Sequence, residues 1–156
     1  MNLGTNNVDV WAFCRRTDEP RYLILQTSQE KADKWFFGDR FWQITGGFVE
    51  EGETISDAVR RWLGGYGLSP RSAWAAEHVY SFYSTRRERL EIVPVFAAEV
   101  ECSMDVELSW EHSEFGWFTA DECMERLKFR GLIEGLASAR TFVSEVDHAH
   151  GAFRIL

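Results

Sequence analysis

The stretch GGFVEEGETISDAVRRWLGGYGL, residues 46–68, constrains this chain more than any other. A glycine pair lets the backbone turn where a side chain would clash, and brings carbonyls and amides close to a metal or phosphate. The acids Glu50, Glu51, Glu53 and Asp57 follow within eleven residues of the pair. Thr54 and Asp57 stand three apart, close to a capping-box pattern, and predict a helix through about Leu63. Gly64, Gly65 and Gly67 then stop it, because each interior glycine costs roughly 1 kcal/mol relative to alanine. The stretch opens like a loop for phosphate chemistry and closes without an acid.

The flanks supply the fold. VDVWAFC (8–14) and RYLILQT (21–27) are β-rich and form a hairpin-like pair around RRTDEP. SQEKADKWFFGDR (28–40) reads as a long loop, the kind that often carries function. FWQIT (41–45) is a short strand. EHVYSFYS (77–84) and EIVPVFAAEV (91–100) are strands around the charged turn TRRER, and EFGWF (114–118) is another. Thr119 and Glu122 form a capping box for a helix over ADECMERLKF, and GLIEGLASARTFVSEV carries a second helical pattern. DHAHGAFRIL has no clear assignment and reads as a mobile tail over 145–156. Strands with helices between and after them predict one α/β domain over residues 1–156, a mixed sheet flanked by helices.

Composition excludes some functions. A formal net charge of −8 argues against a general nucleic-acid or anionic-membrane surface, which needs clustered cations. No signal peptide or membrane-span pattern stands out. Cys14, Cys102 and Cys123 are odd in number and lack C-x-x-C spacing, which predicts no disulfide framework and a reducing, cytoplasmic setting. Aromatics reach 15%, enough both for a ring-rich core and for a pocket that stacks on a flat ligand.

Gly47, Glu53, Arg61 and Leu63 fall in register with the Nudix hydrolase signature, and GGFVEEGE resembles its usual opening. FWQITGG before it and WEHSEFGWF after it resemble the branch acting on dATP or dihydroneopterin triphosphate. The resemblance runs from about residue 8 to about residue 140 and implies a Nudix α/β/α sandwich with a mixed β-sheet. It further implies a pyrophosphohydrolase, often dimeric, in which glutamates hold Mg2+ or Mn2+ and a metal-activated water attacks phosphorus. Where the signature carries those glutamates this chain has Trp62, Gly65 and Tyr66, and it is one residue short before Gly67-Leu68. Indole, glycine and a neutral phenol are poor magnesium ligands.

Two functions therefore stay open. The first is a binding protein for a nucleotide- or pterin-like phosphorylated ligand, without standard hydrolysis. The second is an active hydrolase using Glu50, Glu51, Glu53 and Glu111 as metal ligands, Glu111 matching the EH glutamate of the resembled branch. Glu53 and Arg61 are the motif's catalytic positions, with Arg61 orienting a glutamate rather than reacting. The aromatic run KWFF (34–37), with Arg40, Phe41 and Trp42, is the ligand-site candidate: Phe36, Phe37, Arg40 and Trp42 are the candidate ligand contacts, with Lys34 as a further cation for phosphate. His112 is a candidate general base or a hydrogen-bonding spacer, and His148 with His150 is a weak metal signal. TRRER is a solvated hairpin tip or an arginine site for phosphate.

Overall fold

A computed structural model describes residues 1–156. The strands are β1 (Asn2–Gly4), β2 (Asn7–Cys14), β3 (Arg21–Thr27), β4 (Trp42–Gln43), β5 (Thr45–Phe48), β6 (Ser72–Ser84), β7 (Arg89–Glu99) and β8 (His112–Phe118). They form one mixed sheet ordered β1-β7-β2-β3-β4, with β5 on β2, β6 on β7 and β8 on β3. β7 runs parallel to β1 and β2, and every other pairing is antiparallel. The helices are α1 (Gln29–Trp35), α2 (Ile55–Gly65), α3 (Ala120–Arg126) and α4 (Arg130–Ala139), the last continuing into a wider π-helical turn over Arg140–Ser144. None is long and apolar enough to cross a membrane.

Strand β2 shows why the sheet has a core on both faces. Successive side chains point to opposite faces. Val8, Val10 and Ala12 pack with Ala58, Val59, Trp62 and Leu63 of α2. Trp11 and Phe13 pack with Cys123 of α3 and with Leu132, Leu136 and Ala139 of α4. Asp9 lies on that second face, where the sequence alternation places a charge among aromatic residues.

Five expectations need correction. The strand read over 41–45 is two short strands, β4 and β5, and Gly46 and Gly47 lie inside β5 rather than in a turn, paired with Asp9 and Val8. Residues 28–40 are not all loop: Ser28 accepts a hydrogen bond from the Lys31 amide and starts α1, which buries Lys31 and Ala32. Helix α2 does not stop at Leu63. It continues through Gly64 and Gly65 because burial of Val59, Trp62 and Leu63 outweighs the glycine cost. The tail is docked: the Ile155 amide donates to Ala73 O at 2.9 Å, and Ile155 and Leu156 pack on the α2-side core. Cys14 and Cys102 are disulfide-bonded with Cα atoms 5.2 Å apart. Their 88-residue separation hides a pair that the parallel β2–β7 register brings together. That bond also removes the ground on which a reducing compartment was expected.

Both capping boxes form as predicted, Thr54 with Asp57 and Thr119 with Glu122.

Candidate functional site

The cleft opens above β5 and holds about 1220 Å³. Its floor includes Asp9, Thr45, Gly46 and Gly47, and its walls come from α1, the β6–β7 hairpin and the start of α4.

Part of the floor is the stretch of β5 that only glycine accommodates. Gly46 has φ +134°, and a Cβ there would stand 2.3 Å from the Val8 carbonyl oxygen. Gly47 has φ +150°, and its Cβ would stand 3.1 Å from Trp62 Nε1. The Trp62 side chain therefore packs directly against this strand, and the residue is 9% exposed. An apolar ring occupies the helix position where the signature has its first glutamate.

The remaining motif acids are engaged elsewhere or apart. Arg61 grips Glu53 bidentately, Nε to Oε1 and Nη2 to Oε2, each 2.7 Å, and Nη2 also donates to Phe48 O at 2.9 Å. The Glu50 amide donates to Glu53 Oε2 at 2.9 Å. Arg61 holds the Glu53 carboxyl well below its ordinary range, at about 2. Both Glu53 oxygens thus tie the loop to α2. Glu50 lies 3.9 Å from Arg61, and Glu51 is exposed. Glu111 is in the cleft, 3.5 Å from Lys31 Nζ. No three His, Cys, Asp or Glu side chains gather as a metal-holding group. The donor set of Glu50, Glu51, Glu53 and Glu111 does not fit a hard divalent cation, which needs converging oxygen ligands.

Tyr66 lies beyond α2 with its ring 6.3 Å from His112. Burial first, then Glu111, pushes its phenol up to about 12, so it stays neutral. Gln43 Oε1 accepts from Lys31 Nζ at 2.8 Å and lies 3.1 Å from His112 Nε2. Burial, with Lys31 nearby, pulls the imidazole down to about 4, so His112 is neutral at pH 7. With Nε2 donating to Gln43, Nδ1 is a buried acceptor without a partner.

Of the four expected ligand contacts, the cleft collects one. Phe36 lines it, in edge contact with Phe41 at 4.8 Å, and Phe41 meets Phe129 at 4.8 Å. Phe37 is 98% exposed, outside the cleft. Arg40 donates to Thr27 O and Ser113 Oγ and so braces the loop. Trp42 packs on Phe118, in the core below α3 and α4. Lys34 lies 5.3 Å from the Trp35 ring and 5.2 Å from the Trp110 ring.

Sequence reasoning missed Lys31, Phe48, Tyr80 and Asp9 as cleft residues, whereas Trp35 and Phe41 belong to the aromatic run read as a ligand-site candidate and line the cleft. The basic hairpin turn carried a signal. Arg86 lies over Trp35 at 4.4 Å and Arg87 over Phe48 at 4.4 Å, and both line the cleft. Below them fully buried Glu91 accepts from Arg89 Nε at 2.8 Å and sits 3.6 Å from Arg87. This buried carboxylate anchors the hairpin, and Arg86 enters none of the chain's ion pairs.

A NUDIX domain model matches residues 5–134. This chain belongs to the NUDIX family. Solved NUDIX structures share its fold. A NUDIX hydrolase from Listeria monocytogenes aligns with TM-score 0.72 and 18% identity over 93% of this chain and 98% of that one. The Shewanella oneidensis NrtR NUDIX domain, complexed with ADP ribose, aligns at 0.66 and 18% over 90% of each chain. The E. coli dihydroneopterin triphosphate pyrophosphohydrolase aligns at 0.61 and 19% over 85% of this chain and 94% of that one. A Myxococcus xanthus protein named octanoyltransferase is 30% identical over 126 residues, 80% of this chain. The chain spans about a third of that curated relative's length, 33%.

Proposed function

We propose that this NUDIX-family chain binds a nucleotide- or pterin-like phosphorylated ligand in the cleft without metal-dependent hydrolysis. The observation that carries this reading is the contrast in charge between the motif segment, which keeps its acids out of the cleft, and the hairpin, which puts cations into it. At the motif, Trp62 packs under Gly47 and Arg61 takes both oxygens of Glu53. At the hairpin, Arg86 and Arg87 lie on the faces of Trp35 and Phe48. Guanidinium groups hold phosphate through directed N–H donors without needing a metal. The Phe36–Phe41–Phe129 series offers apolar surface for a flat ring. The ADP ribose bound by the NrtR NUDIX domain is a ligand of this class.

The test is calorimetry with ADP-ribose, ATP, GTP and dihydroneopterin triphosphate, in EDTA and again in magnesium. Phosphate and pyrophosphate release is followed in parallel with magnesium or manganese. The expected outcome is binding by at least one ligand at similar affinity in EDTA and magnesium, with no release. Metal-dependent release that disappears in Glu53→Gln or Glu111→Gln would overturn the reading and make the chain a hydrolase with an unusual ligand set.

A further inference from the structure

Asp9 is an acid that the fold does not require. It sits on β2, a strand paired on both sides, with Gly46 of β5 and Val95 of β7 as its register partners. Tyr80 Oη donates to Asp9 Oδ2 at 2.6 Å, and both residues line the cleft. No protein donor meets Oδ1, and Asp9 enters no ion pair. Burial raises its carboxyl from 3.8 to about 6, opposed by the Tyr80 bond alone.

The Tyr80 hydroxyl needs an acceptor, but an asparagine carbonyl would serve without the cost of burying a charge. A carboxylate kept in a cleft at a cost to stability points to a ligand rather than to packing. Its geometry is fixed. A Cβ at Gly131 of α4 would stand 2.3 Å from Tyr80 Cε2, so the missing side chain admits the Tyr80 ring against the helix. The phenol aims at Asp9 from that seat. Both members of the pair are thus held by paired strands, the kind of element that positions a specificity group accurately.

We propose that Asp9 reads the ring of the ligand, its carboxylate accepting the two adjacent N–H donors of a guanine- or pterin-type edge and rejecting adenine. This rests on the binding reading given above. An ionised carboxylate is an acceptor with two oxygens and about four lone-pair sites, so one bond from Tyr80 leaves room for two parallel N–H bonds. Guanine and pterin share an N–H beside an exocyclic amino group. Adenine presents an acceptor nitrogen at the corresponding place, which would face the carboxylate lone pairs unpaired. A site built to bond an N–H discriminates strongly against an analogue that lacks it.

Calorimetry at pH 8 in EDTA with GTP, ITP, ATP and dihydroneopterin triphosphate tests this at constant phosphate number. GTP is expected to bind about tenfold or more tighter than ATP, with ITP, which lacks the exocyclic amine, between them. Asp9→Asn should erase the GTP–ATP difference while leaving ATP affinity within about threefold, since it removes the carboxylate without removing the acceptor for Tyr80. Whichever of GTP and dihydroneopterin triphosphate binds tighter identifies guanine or pterin as the source of the edge. GTP and ATP binding within about threefold, or a preference that survives Asp9→Asn, would overturn the assignment and leave the binding reading standing. If neither these ligands nor ADP-ribose bind, both fall. Equal GTP and ATP binding by the wild type overturns the assignment even if Asp9→Asn does not fold.

Discussion

The motif segment around α2 and the β6–β7 hairpin handle charge in opposite ways. Beside α2, every motif acid is neutralised or displaced: Glu53 by Arg61, Glu50 beside the same guanidinium, and the helix position after Arg61 by an indole. At the β6–β7 hairpin, one buried carboxylate, Glu91, supports Arg87 and Arg89, and Arg86 remains available over Trp35. Arg86 and Arg87 of the hairpin line the cleft, whereas no residue of α2 does. The comparison teaches that the guanidinium groups facing this cleft come from a different element than the family motif.

The strongest attempt to break this contrast is Trp62→Glu, which restores the signature acid. Trp62 is 9% exposed in the core between β2 and α2. Losing a buried indole and burying a carboxylate against Gly47 should cost about 3 kcal/mol or more. Thermal or urea unfolding would show the loss. Phosphate-release assays should stay blank, since one glutamate does not rebuild an oxygen cage.

Asp9→Asn should have the next largest effect, of opposite sign. The folded pKa of Asp9 is raised from 3.8 to about 6. Its proton-linked stabilisation is fully present below the unfolded pKa and lost as pH rises through about 6. The variant should therefore match wild type near pH 3.5 and exceed it by roughly 2 kcal/mol at pH 8. Unfolding curves across that range check the sign. Equal stability at both pH values would mean that the carboxyl is not strained by burial.

The hairpin side is tested by the Arg86→Ala, Arg87→Ala double variant. Both guanidinium groups line the cleft. Triphosphate affinity should fall about tenfold or more, with a shallower salt dependence and a smaller change in melting temperature than Trp62→Glu causes. Calorimetry at two salt concentrations checks it. The smallest effect is expected at Gly64, inside α2, where a Cβ would meet nothing within 4 Å. Gly64→Ala should stabilise by up to about 1 kcal/mol by removing a glycine from a helix, seen as a modest rise in melting temperature. A fall instead would mean that the stretch needs glycine for a reason other than space.

Much of the site was legible along the chain, and the limit was distance in sequence. Glu53 and Arg61 lie within one loop and one helix, so the family register located both residues, and the structure chose their pairing over a phosphate-facing or solvated arginine. The aromatic run at 34–42 was found, but which rings face the cleft was not. Phe36 does, Phe37 is almost fully exposed, and Trp42 packs below the other face. Adjacent residues in a turn diverge by backbone angles that composition does not encode, such as φ 55° at Phe37. Asp9 gave no local signal, because its meaning depends on Tyr80, which lies 71 residues away.

The sequence by itself determined the family, both capping boxes and the residue types Trp62, Gly65 and Tyr66 at the motif's acid positions. These are consequences of residue type and short spacing, which local backbone chemistry reads directly. Tertiary structure alone decided that the indole fills the space under Gly47 of β5 and that the Arg86-Arg87 turn folds onto Trp35 and Phe48. It also decided that Cys14 meets Cys102 and that the C-terminal residues dock on β6. Each of these depends on strand register and on which apolar surface must be covered. Those are properties of the whole sheet, settled only when distant segments pack together.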